Sequence, residues 1–232
     1  MKKIFICQSN YVPWWGYFDA IRQADAFVTY DEVQYTRLDW RNRNRIKTPR
    51  GLQWLSIPMQ RWKLGDPIST VRVQPNWQTQ HLNLLRENYR TAPHFKTSFD
   101  FLENVYQQSQ QFSYLTDINH LFLKVFCEKL EIETPFFRSH ECPKNEFRVE
   151  TDDQRSGRLL QICLQLGATH YLSGRAAEHY LNVPLFNAHQ IEVEWLQYAP
   201  PQYPQLFGDF ESGVSMIDAF FNTGNDAKIL FE

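Results

Sequence analysis

One part of this sequence suited to binding chemistry is a short run in which cationic side chains alternate with amides. It reads Trp40-Arg41-Asn42-Arg43-Asn44-Arg45-Ile46-Lys47. In an extended chain, side chains point alternately to two faces. One face then holds Arg41, Arg43, Arg45 and Lys47, and the other holds Asn42 and Asn44. Like charges repel, and a phosphate would relieve the repulsion through charge-assisted hydrogen bonds of roughly 1.5–3 kcal/mol each.

A structural role is the alternative for the same run. Cations on an exposed edge strand discourage pairing with other chains. Neighbouring acidic residues would then neutralise part of the charge, and the sequence supplies Asp31, Glu32 and Asp39. Both interpretations require an extended segment.

A second group of polar and aromatic residues lies in the turn after the first predicted strand. It comprises Gln8, Asn10, Tyr11, Trp14 and Tyr17. Ligands of open α/β sheets lie beyond the carboxyl ends of the strands, where helix N-termini attract anions. The amides suit sugar hydroxyls or base edges, and the rings can stack on a ligand ring. Alternatively, Asn10 caps a turn and the tryptophans pack in the core.

Other candidates follow later strands. Asp31 and Gln34 come after the second predicted strand, at the equivalent sheet edge. Ser173, Gly174 and Arg175 join a strand to a helix, where an anion would be stabilised. The alternative for these three is a helix cap with a surface arginine. The loop 198–210 is a candidate lid or wall, or simply a packed connection.

Candidate bases are few, and the common catalytic motifs are absent. Asp31 and His81 are the residues we predict as proton acceptors, although a lone helical histidine is more often structural. The sequence has no Walker A, GxGxxG, HExxH or GxSxG motif. His140 and Cys142 have no second pair to complete a metal set, so no metal site is predicted.

Hydrophobic periodicity predicts the elements that position these residues. Residues 3–7 and 26–30 read as strands around a helix that begins near Pro13, which is a βαβ unit with parallel pairing. Further strands are expected at 53–59, 70–73, 135–139, 170–172 and 191–198. Helices are expected in three pieces over 76–132, broken at 92–93 and 108–111, and at 152–166, 175–181 and 215–221. We therefore predict an α/β, Rossmann-like, mostly parallel sheet flanked by helices, in one domain spanning 1–232.

Composition limits the partners. The net charge is −2, so any anion site must be local, and nucleic acid is not expected. Four scattered cysteines without a CxxC motif indicate reduced thiols. The apolar run after Met1 is too short for a signal peptide, and no stretch suits a membrane span. A cytoplasmic protein without membrane insertion is expected.

Several of these segments resemble those of a known protein family. Residues 8–18, Gln-Ser-Asn-Tyr-Val-Pro-Trp-Trp-Gly-Tyr-Phe, are similar to the QPNYxPWxGYF opening of the WbqC-like family. Further similar segments are 41–48, Asn88-Tyr89 before Ala92-Pro93, Leu166-Gly167-Ala168, residues 171–174, and Tyr203-Pro204-Gln205 with Gly208 and Phe210. The resemblance covers nearly the whole chain. One departure is Ser9, where the pattern usually has proline.

The resemblance implies a role in O-antigen or other surface-polysaccharide biosynthesis, with transfer of glycine or another acyl group to an aminosugar. It carries over no catalytic residues. On this hypothesis a nucleotide- or lipid-linked aminosugar is held at its diphosphate by Arg41, Arg43 and Lys47, while Gln8, Asn10 and Asp31 position the sugar. No cofactor is evident. An activated acyl donor or a nucleotide would be bound. Aminoacyl-tRNA, as an acyl donor, is the one nucleic acid to consider.

Two alternatives remain open. The layout is similar to nucleotidyltransferases of the pantothenate-synthetase type, which would make the chain an ATP-dependent activating enzyme, but their HxGH signature is absent. The other alternative is a non-catalytic module that binds sugar nucleotides.

Overall fold

The computed structural model describes residues 1–142 and 153–231. These residues form two compact units. The first comprises Met1–Gln8, Asp19–Glu32 and Glu133–Ala199, and the second comprises Ser9–Phe18, Val33–Ile132 and Pro200–Glu232. The prediction of a single domain stays a prediction.

The described residues contain seven strands and seven α-helices. The strands are β1 (Lys3–Cys7), β2 (Ala26–Thr29), β3 (Arg43–Thr48), β4 (Gly51–Ser56), β5 (Phe136–Arg138), β6 (His170–Ser173) and β7 (Glu192–Trp195). The helices are α1 (Trp15–Arg22), α2 (Trp77–Tyr89), α3 (Phe95–Ser109), α4 (Leu115–Lys129), α5 (Gln154–Gln165), α6 (Val183–Ala188) and α7 (Met216–Thr223). Three 3₁₀ segments lie at Ile68–Thr70, Arg175–His179 and Gly224–Phe231.

The first unit is built on a parallel sheet. Its strand order is β5-β2-β1-β6-β7, and every neighbouring pair is parallel. Counted within the sheet, this is the order 3-2-1-4-5, the doubly wound arrangement whose topological switch point lies between the first and fourth strands. The prediction of an α/β, Rossmann-like fold is confirmed.

The core of the first unit explains why its strands read as apolar runs. Ile4, Val28, Leu160 and Cys163 are buried together, and strands of a parallel sheet are apolar on both faces. Helix α5 begins at the cap Asp153, whose carboxylate accepts hydrogen bonds from the backbone N–H groups of Arg155 and Ser156. Residue 152, the predicted helix start, lies outside the described residues.

The second unit packs helices and a hairpin around aromatic rings. Helices α2, α3 and α4 confirm the three helical pieces predicted over 76–132. Phe122, Phe126 and Phe220 contact one another in edge-to-face pairs, with ring centroids 5.8 and 4.9 Å apart. Such pairs contribute beyond the area they bury. Many aromatic side chains of this unit therefore belong to its core.

Two predicted elements differ in the structure. The strand expected at 70–73 is wrong, because the chain there forms a 3₁₀ turn followed by isolated bridges, Met59 to Val73 and Arg72 to Tyr114. The helix expected at 175–181 is a 3₁₀ segment, and α6 was not predicted at all. Short segments of this kind depend on their neighbours more than on their own periodicity.

None of the helices among residues 1–142 and 153–231 has the length and apolar character needed to cross a membrane.

Replacing Gly224 with alanine is expected to lower the free energy of unfolding by about 1–3 kcal/mol. Gly224 ends α7 with φ +62° and ψ −128°, a conformation that side-chain-bearing residues rarely adopt. An added Cβ would also lie 2.5 Å from Nδ1 of His94. Chemical denaturation measures the loss. Gly65→Ala is the control, because its φ is +96° but its Cβ would meet nothing within 4 Å; equal losses would show that the His94 contact is unimportant.

Candidate functional site

The basic run is extended from Arg43 to Lys47, as expected, whereas Arg41 and Asn42 lie in a turn, so the alternation expected for these two is wrong. The extended part belongs to β3, which pairs with β4 in an antiparallel hairpin whose register places Arg45 opposite Trp54. The turn between the strands ends at Gly51, with φ +99°. Directly opposed residues share a face, so the cations of β3 lie beside the indole of Trp54. The other face is core, because Ile46 and Leu55 are fully buried.

Two arginines and two tryptophans form a stacked cluster on the cationic face. The guanidinium carbon of Arg43 lies 3.9 Å from the ring centroid of Trp54. That of Arg45 lies 5.7 Å from the rings of both Trp40 and Trp54. The two indoles are in contact, with centroids 5.4 Å apart. Guanidinium–indole stacking fixes the positions of both cations and leaves their charge uncompensated.

This cluster borders a cavity of about 300 Å³, which we call the Arg45 cleft. Its lining residues are Asn10, Trp14, Trp40, Asn44, Arg45 and Gly213. The Nη2 group of Arg45 donates a hydrogen bond to the carbonyl oxygen of Gly213 at 3.1 Å. The cleft therefore combines a fixed guanidinium, two indole rings and amide groups, which are the groups that bind phosphorylated sugars.

The charge in this cleft has no acidic counterpart. Among residues 1–142 and 153–231, neither Arg43 nor Arg45 has a carboxylate within ion-pairing distance. The Nε atoms of both arginines are buried and have no hydrogen-bond partner there. A buried donor without a partner costs free energy. An anion in the cleft would compensate the charge.

The remaining arginine of the run has a different position. Arg41 donates from Nη1 to Oδ1 of Asn10, and its Nη2 lies 3.6 Å from Oδ2 of Asp39. Since its charge is already paired, Arg41 orients Asn10 in the cleft wall.

The amides between the cations hold the backbone in place. Asn44 is buried, donates to the carbonyl of Tyr11 at 3.3 Å, and accepts from the backbone N–H of Arg45 at 2.8 Å. Asn42 is also buried and donates to the carbonyl of Ile57 at 2.9 Å. These hydrogen bonds join the turn that contains Tyr11 to β3 and to the residues just before it, within the second unit.

Lys47 does not lie free on the cationic face. Its side chain is 4% exposed. The ammonium donates to Oε1 of Gln205 and the carbonyl of Gly208, both at 3.2 Å, and to the carbonyl of Asp209. All of its donors are occupied, and they anchor the loop that was predicted as a lid or wall. Because these hydrogen bonds hold the loop against β3, we interpret the loop as a packed connection.

A buried carboxylate, Asp218, completes the same network. It accepts hydrogen bonds from the hydroxyls of Tyr89 at 2.7 Å and Tyr203 at 2.9 Å, and from the amide of Asn222. Burial raises the pKa of Asp218, opposed by these hydrogen bonds and by the charge of Lys47. Tyr203 belongs to the loop and Tyr89 to α2, so Asp218 connects the two.

His81, predicted as a base, is enclosed. Its Nε2 lies 3.1 Å from the carbonyl oxygen of Ser56, which can only accept, so Nε2 carries the proton. Nδ1 then accepts from the hydroxyl of Tyr11 at 2.9 Å, and Tyr106 donates to Tyr11 at 2.6 Å. Burial lowers the pKa of His81 to about 4. Both ring nitrogens and the Tyr11 hydroxyl are thus engaged in the protein interior.

The remaining predicted residues of the second unit have three different positions. Trp14 lines the Arg45 cleft. Tyr17 is buried in α1, with 4% exposure. Gln34 is exposed and forms an isolated bridge with Pro67. Gln34 is therefore available to solvent, and it is not among the residues that line the cleft.

The predicted residues of the first unit follow its parallel strands. Gln8 comes directly after β1, and Ser173 ends β6, the two strands at the switch point. Gly174 follows, and Arg175 is exposed. Asp31 comes two residues after β2 and is 5% exposed. Because carboxyl ends of parallel strands share one edge, these residues form what we call the switch-point edge.

Three residues of the Arg45 cleft and of the stacked cluster beside it were not predicted. Trp40, Trp54 and Gly213 received no binding role from the sequence. The turn Thr48-Pro49-Arg50-Gly51 between two extended runs was a usable hairpin signal, and it would have paired Arg45 with Trp54. No local signal points to Gly213, which is 168 residues away from Arg45.

No cluster of three or more histidine, cysteine or acidic side chains suited to a metal ion occurs in the two described ranges. The four cysteines are free thiols, of which Cys127, Cys142 and Cys163 are buried. Burial raises the pKa of each of these three thiols.

Comparisons with known proteins agree with the motifs. The model of the WbqC-like protein family matches residues 8–229. The chain is 39% identical to the uncharacterized protein Rv1507c of Mycobacterium tuberculosis (strain ATCC 25618 / H37Rv), over 98% of this chain and 96% of that protein. No solved structure matches. The chain belongs to the WbqC-like protein family.

Proposed function

We propose that this protein binds a nucleotide- or lipid-linked aminosugar in the Arg45 cleft and acts as a transferase in surface-polysaccharide biosynthesis. The observation that carries the proposal is a pair of guanidiniums beside a cavity of about 300 Å³, whose buried Nε atoms have no hydrogen-bond partner among the described residues. Family membership supports the pathway, and the cleft supports the ligand class.

The cleft lining suggests how such a ligand would bind. Arg45, which lines the cavity, and Arg43, which is stacked on Trp54, would meet the phosphate groups. Trp40 offers an indole face that is 39% exposed, on which a sugar or base ring can stack. Asn10, oriented by Arg41, offers its amide to hydroxyl groups. Since the ammonium of Lys47 is already bound to the loop, we assign the anion-binding role to Arg43 and Arg45 in its place.

The reaction we propose is acyl transfer to the sugar amine. The amine nitrogen would attack the carbonyl carbon of an activated acyl donor, forming the new C–N bond as the bond to the leaving group breaks. A carboxylate would accept the proton that the nitrogen loses. His81 is disfavoured for this role, because its ring nitrogens are engaged in the interior.

A thermal-shift screen tests the ligand class. A ligand present at ~100 Kd stabilises the folded chain by about 2.7 kcal/mol, which for this length corresponds to roughly 5–10 °C in Tm. We expect shifts with UDP- or dTDP-linked aminosugars and none of that size with ATP. Turnover of the aminosugar with activated glycine then separates a transferase from a binding module.

Arg45→Ala is expected to weaken binding of the sugar nucleotide roughly ten- to hundredfold, because one charge-assisted contact is lost. Isothermal titration measures the change. Arg50→Ala is the matched control, since Arg50 lies in the turn of the same hairpin with its side chain 91% exposed. If both variants bind like the original chain, the assignment of the cleft fails.

Gly213→Ala provides an independent test that keeps the charge. The added Cβ would lie 2.6 Å from Nη2 of Arg45, so the guanidinium has to move. Because the displaced group is the end of a flexible side chain, we expect weaker ligand binding with little change in the Tm of the free protein. A large loss of Tm without ligand would instead give Arg45 a structural role.

One observation favours a second candidate, nucleotide activation of an acid by ATP. The strand order 3-2-1-4-5 places Ser173 and Gly174 at the switch point, where such folds bind nucleotides. A Tm shift with ATP that Arg45→Ala leaves intact would support this candidate over the first.

A further inference from the structure

The region of the second unit from residue 33 to residue 67 is strongly basic within an otherwise acidic chain. It holds eight lysines and arginines against two aspartates, a net charge of +6 in a chain of net charge −2. Arg37, Arg61 and Lys63 are exposed and outside the lining of the Arg45 cleft. Among the described residues, none of these three has a carboxylate within ion-pairing distance.

The same region carries exposed large apolar side chains. They are Leu38 at 58% exposure, Trp40 at 39%, Leu52 at 38%, Trp54 at 39% and Leu64 at 84%. Scattered exposed leucines are ordinary, but a local concentration among cations marks an interaction surface.

Two of these leucines are presented by constrained backbone. Leu64 lies at the tip of a turn closed by two hydrogen bonds, from Asp66 N–H to the carbonyl of Lys63 at 3.1 Å and from Lys63 N–H to the Asp66 carboxylate at 2.7 Å. Leu38 has φ +58°, which is unfavourable for a leucine. Neither residue contributes to the core, so packing does not account for the apolar side chain at either position.

The segments that carry these side chains are neighbours. The backbone N–H of Tyr35 donates to the carbonyl of Asp66 at 2.8 Å, and the rings of Tyr35 and Trp62 are 5.1 Å apart. At the other end of the segment, Trp40 contacts Trp54. The exposed residues therefore lie on segments that contact one another, and we call them together the basic apolar surface: Arg37, Leu38, Trp40, Trp54, Arg61, Lys63 and Leu64.

We infer that the basic apolar surface docks on an anionic lipid membrane. Cations attract the surface to anionic headgroups, and leucine and tryptophan side chains enter the interface between headgroups and acyl chains. Nucleic acid would also suit the charge. However, bases could stack on the two tryptophans but not on Leu38 or Leu64, so lipid accounts for all the apolar side chains of the surface and RNA for only some of them. The inference does not depend on the reaction proposed for the cleft.

Flotation with vesicles tests the inference. The full chain is expected to float with vesicles of phosphatidylglycerol and phosphatidylcholine in equal parts, and not with phosphatidylcholine alone. Leu38→Ser combined with Leu64→Ser is expected to lower the partition coefficient at least about tenfold. Arg61→Ala combined with Lys63→Ala is expected to do the same, with the remaining binding less sensitive to salt.

Ile229→Ser is the matched control, because Ile229 is 51% exposed outside this surface and its replacement should leave flotation unchanged. The replaced leucines are exposed, so circular dichroism and Tm should match those of the original chain. The inference is overturned if the anionic vesicles do not bind the protein or if the double leucine variant floats equally well. Binding of transfer RNA that survives the leucine substitutions, with no flotation, would also overturn it and indicate a nucleic-acid surface.

Discussion

Replacing Asp218 with alanine is expected to lower the free energy of unfolding by about 3–5 kcal/mol. The side chain is fully buried and accepts hydrogen bonds from two tyrosines and an asparagine. Removing the carboxylate leaves these buried donors without their acceptor, and it leaves the charge of Lys47 without a neighbouring anion. Urea denaturation at neutral pH measures the loss.

Two further variants separate the contribution of the Asp218 charge from that of its shape and hydrogen bonds, and from the general effect of removing an aspartate. Asp226→Ala is the matched control, since Asp226 is exposed and near in sequence, and it should change stability little. Asp218→Asn removes the charge but keeps the shape. Because burial raises the pKa of Asp218, the folded state holds this proton more tightly than the unfolded state. Its contribution to stability is present below the usual pKa of 3.8 and falls as the pH rises through the raised value.

We therefore expect Asp218→Asn to be less destabilised than Asp218→Ala, with a flatter pH dependence just above pH 3.8. If the alanine variant is as stable as the original chain, the network does not stabilise the fold. The assignment of Lys47 to loop anchoring would then lose its main support.

His81 is expected to make the protein sensitive to acid. Burial lowers its pKa from 6.5 to about 4, so between these values the unfolded chain binds a proton that the folded chain does not. The stability due to the neutral ring is complete above pH 6.5 and is lost as the pH falls toward 4, by about 3 kcal/mol in all. This loss has the opposite pH dependence to that of Asp218.

Unfolding free energies measured from pH 7 to pH 4 test this expectation. His81→Gln should be less stable at pH 7, because its hydrogen bonds to Tyr11 and Ser56 are not both kept, yet it should lose about 3 kcal/mol less over the range. His179→Gln is the control, because His179 is exposed. Parallel curves for the original chain and His81→Gln would show that His81 is protonated within the folded protein.

The elements that could be predicted are those in which a regular hydrophobic pattern lies within one continuous stretch of the sequence. β1, β2, α5 and the three central helices were predicted because their apolar residues recur at a strand or helix period. The expected strand at 70–73 failed because residues 72 and 73 form only isolated bridges, with Tyr114 and Met59, instead of a ladder with one neighbouring strand. The second unit as a separate compact body could not be predicted, because it is assembled from three stretches distant in sequence.

The sequence predicted that the candidate site is cationic, but it did not predict which cation binds a ligand and which has a structural role. Alternation placed Arg43, Arg45 and Lys47 on one face, and this is how β3 presents them. The three cations differ in the groups to which they are hydrogen-bonded. Lys47 meets Gln205 and Arg45 meets Gly213, across 158 and 168 positions of chain. Such contacts depend on the tertiary fold, so residue type alone could not show which cation stays available to a ligand.

The contact between Trp40 and Trp54 also gives the cleft an optical signature. Two indoles with centroids 5.4 Å apart, inclined at 46°, couple their electronic transitions and contribute a paired positive and negative signal to the circular dichroism spectrum. Any molecule that enters between these rings, or moves the arginine stacked on one of them, would change that signal. Occupancy of the cleft can therefore be followed on the unlabelled protein.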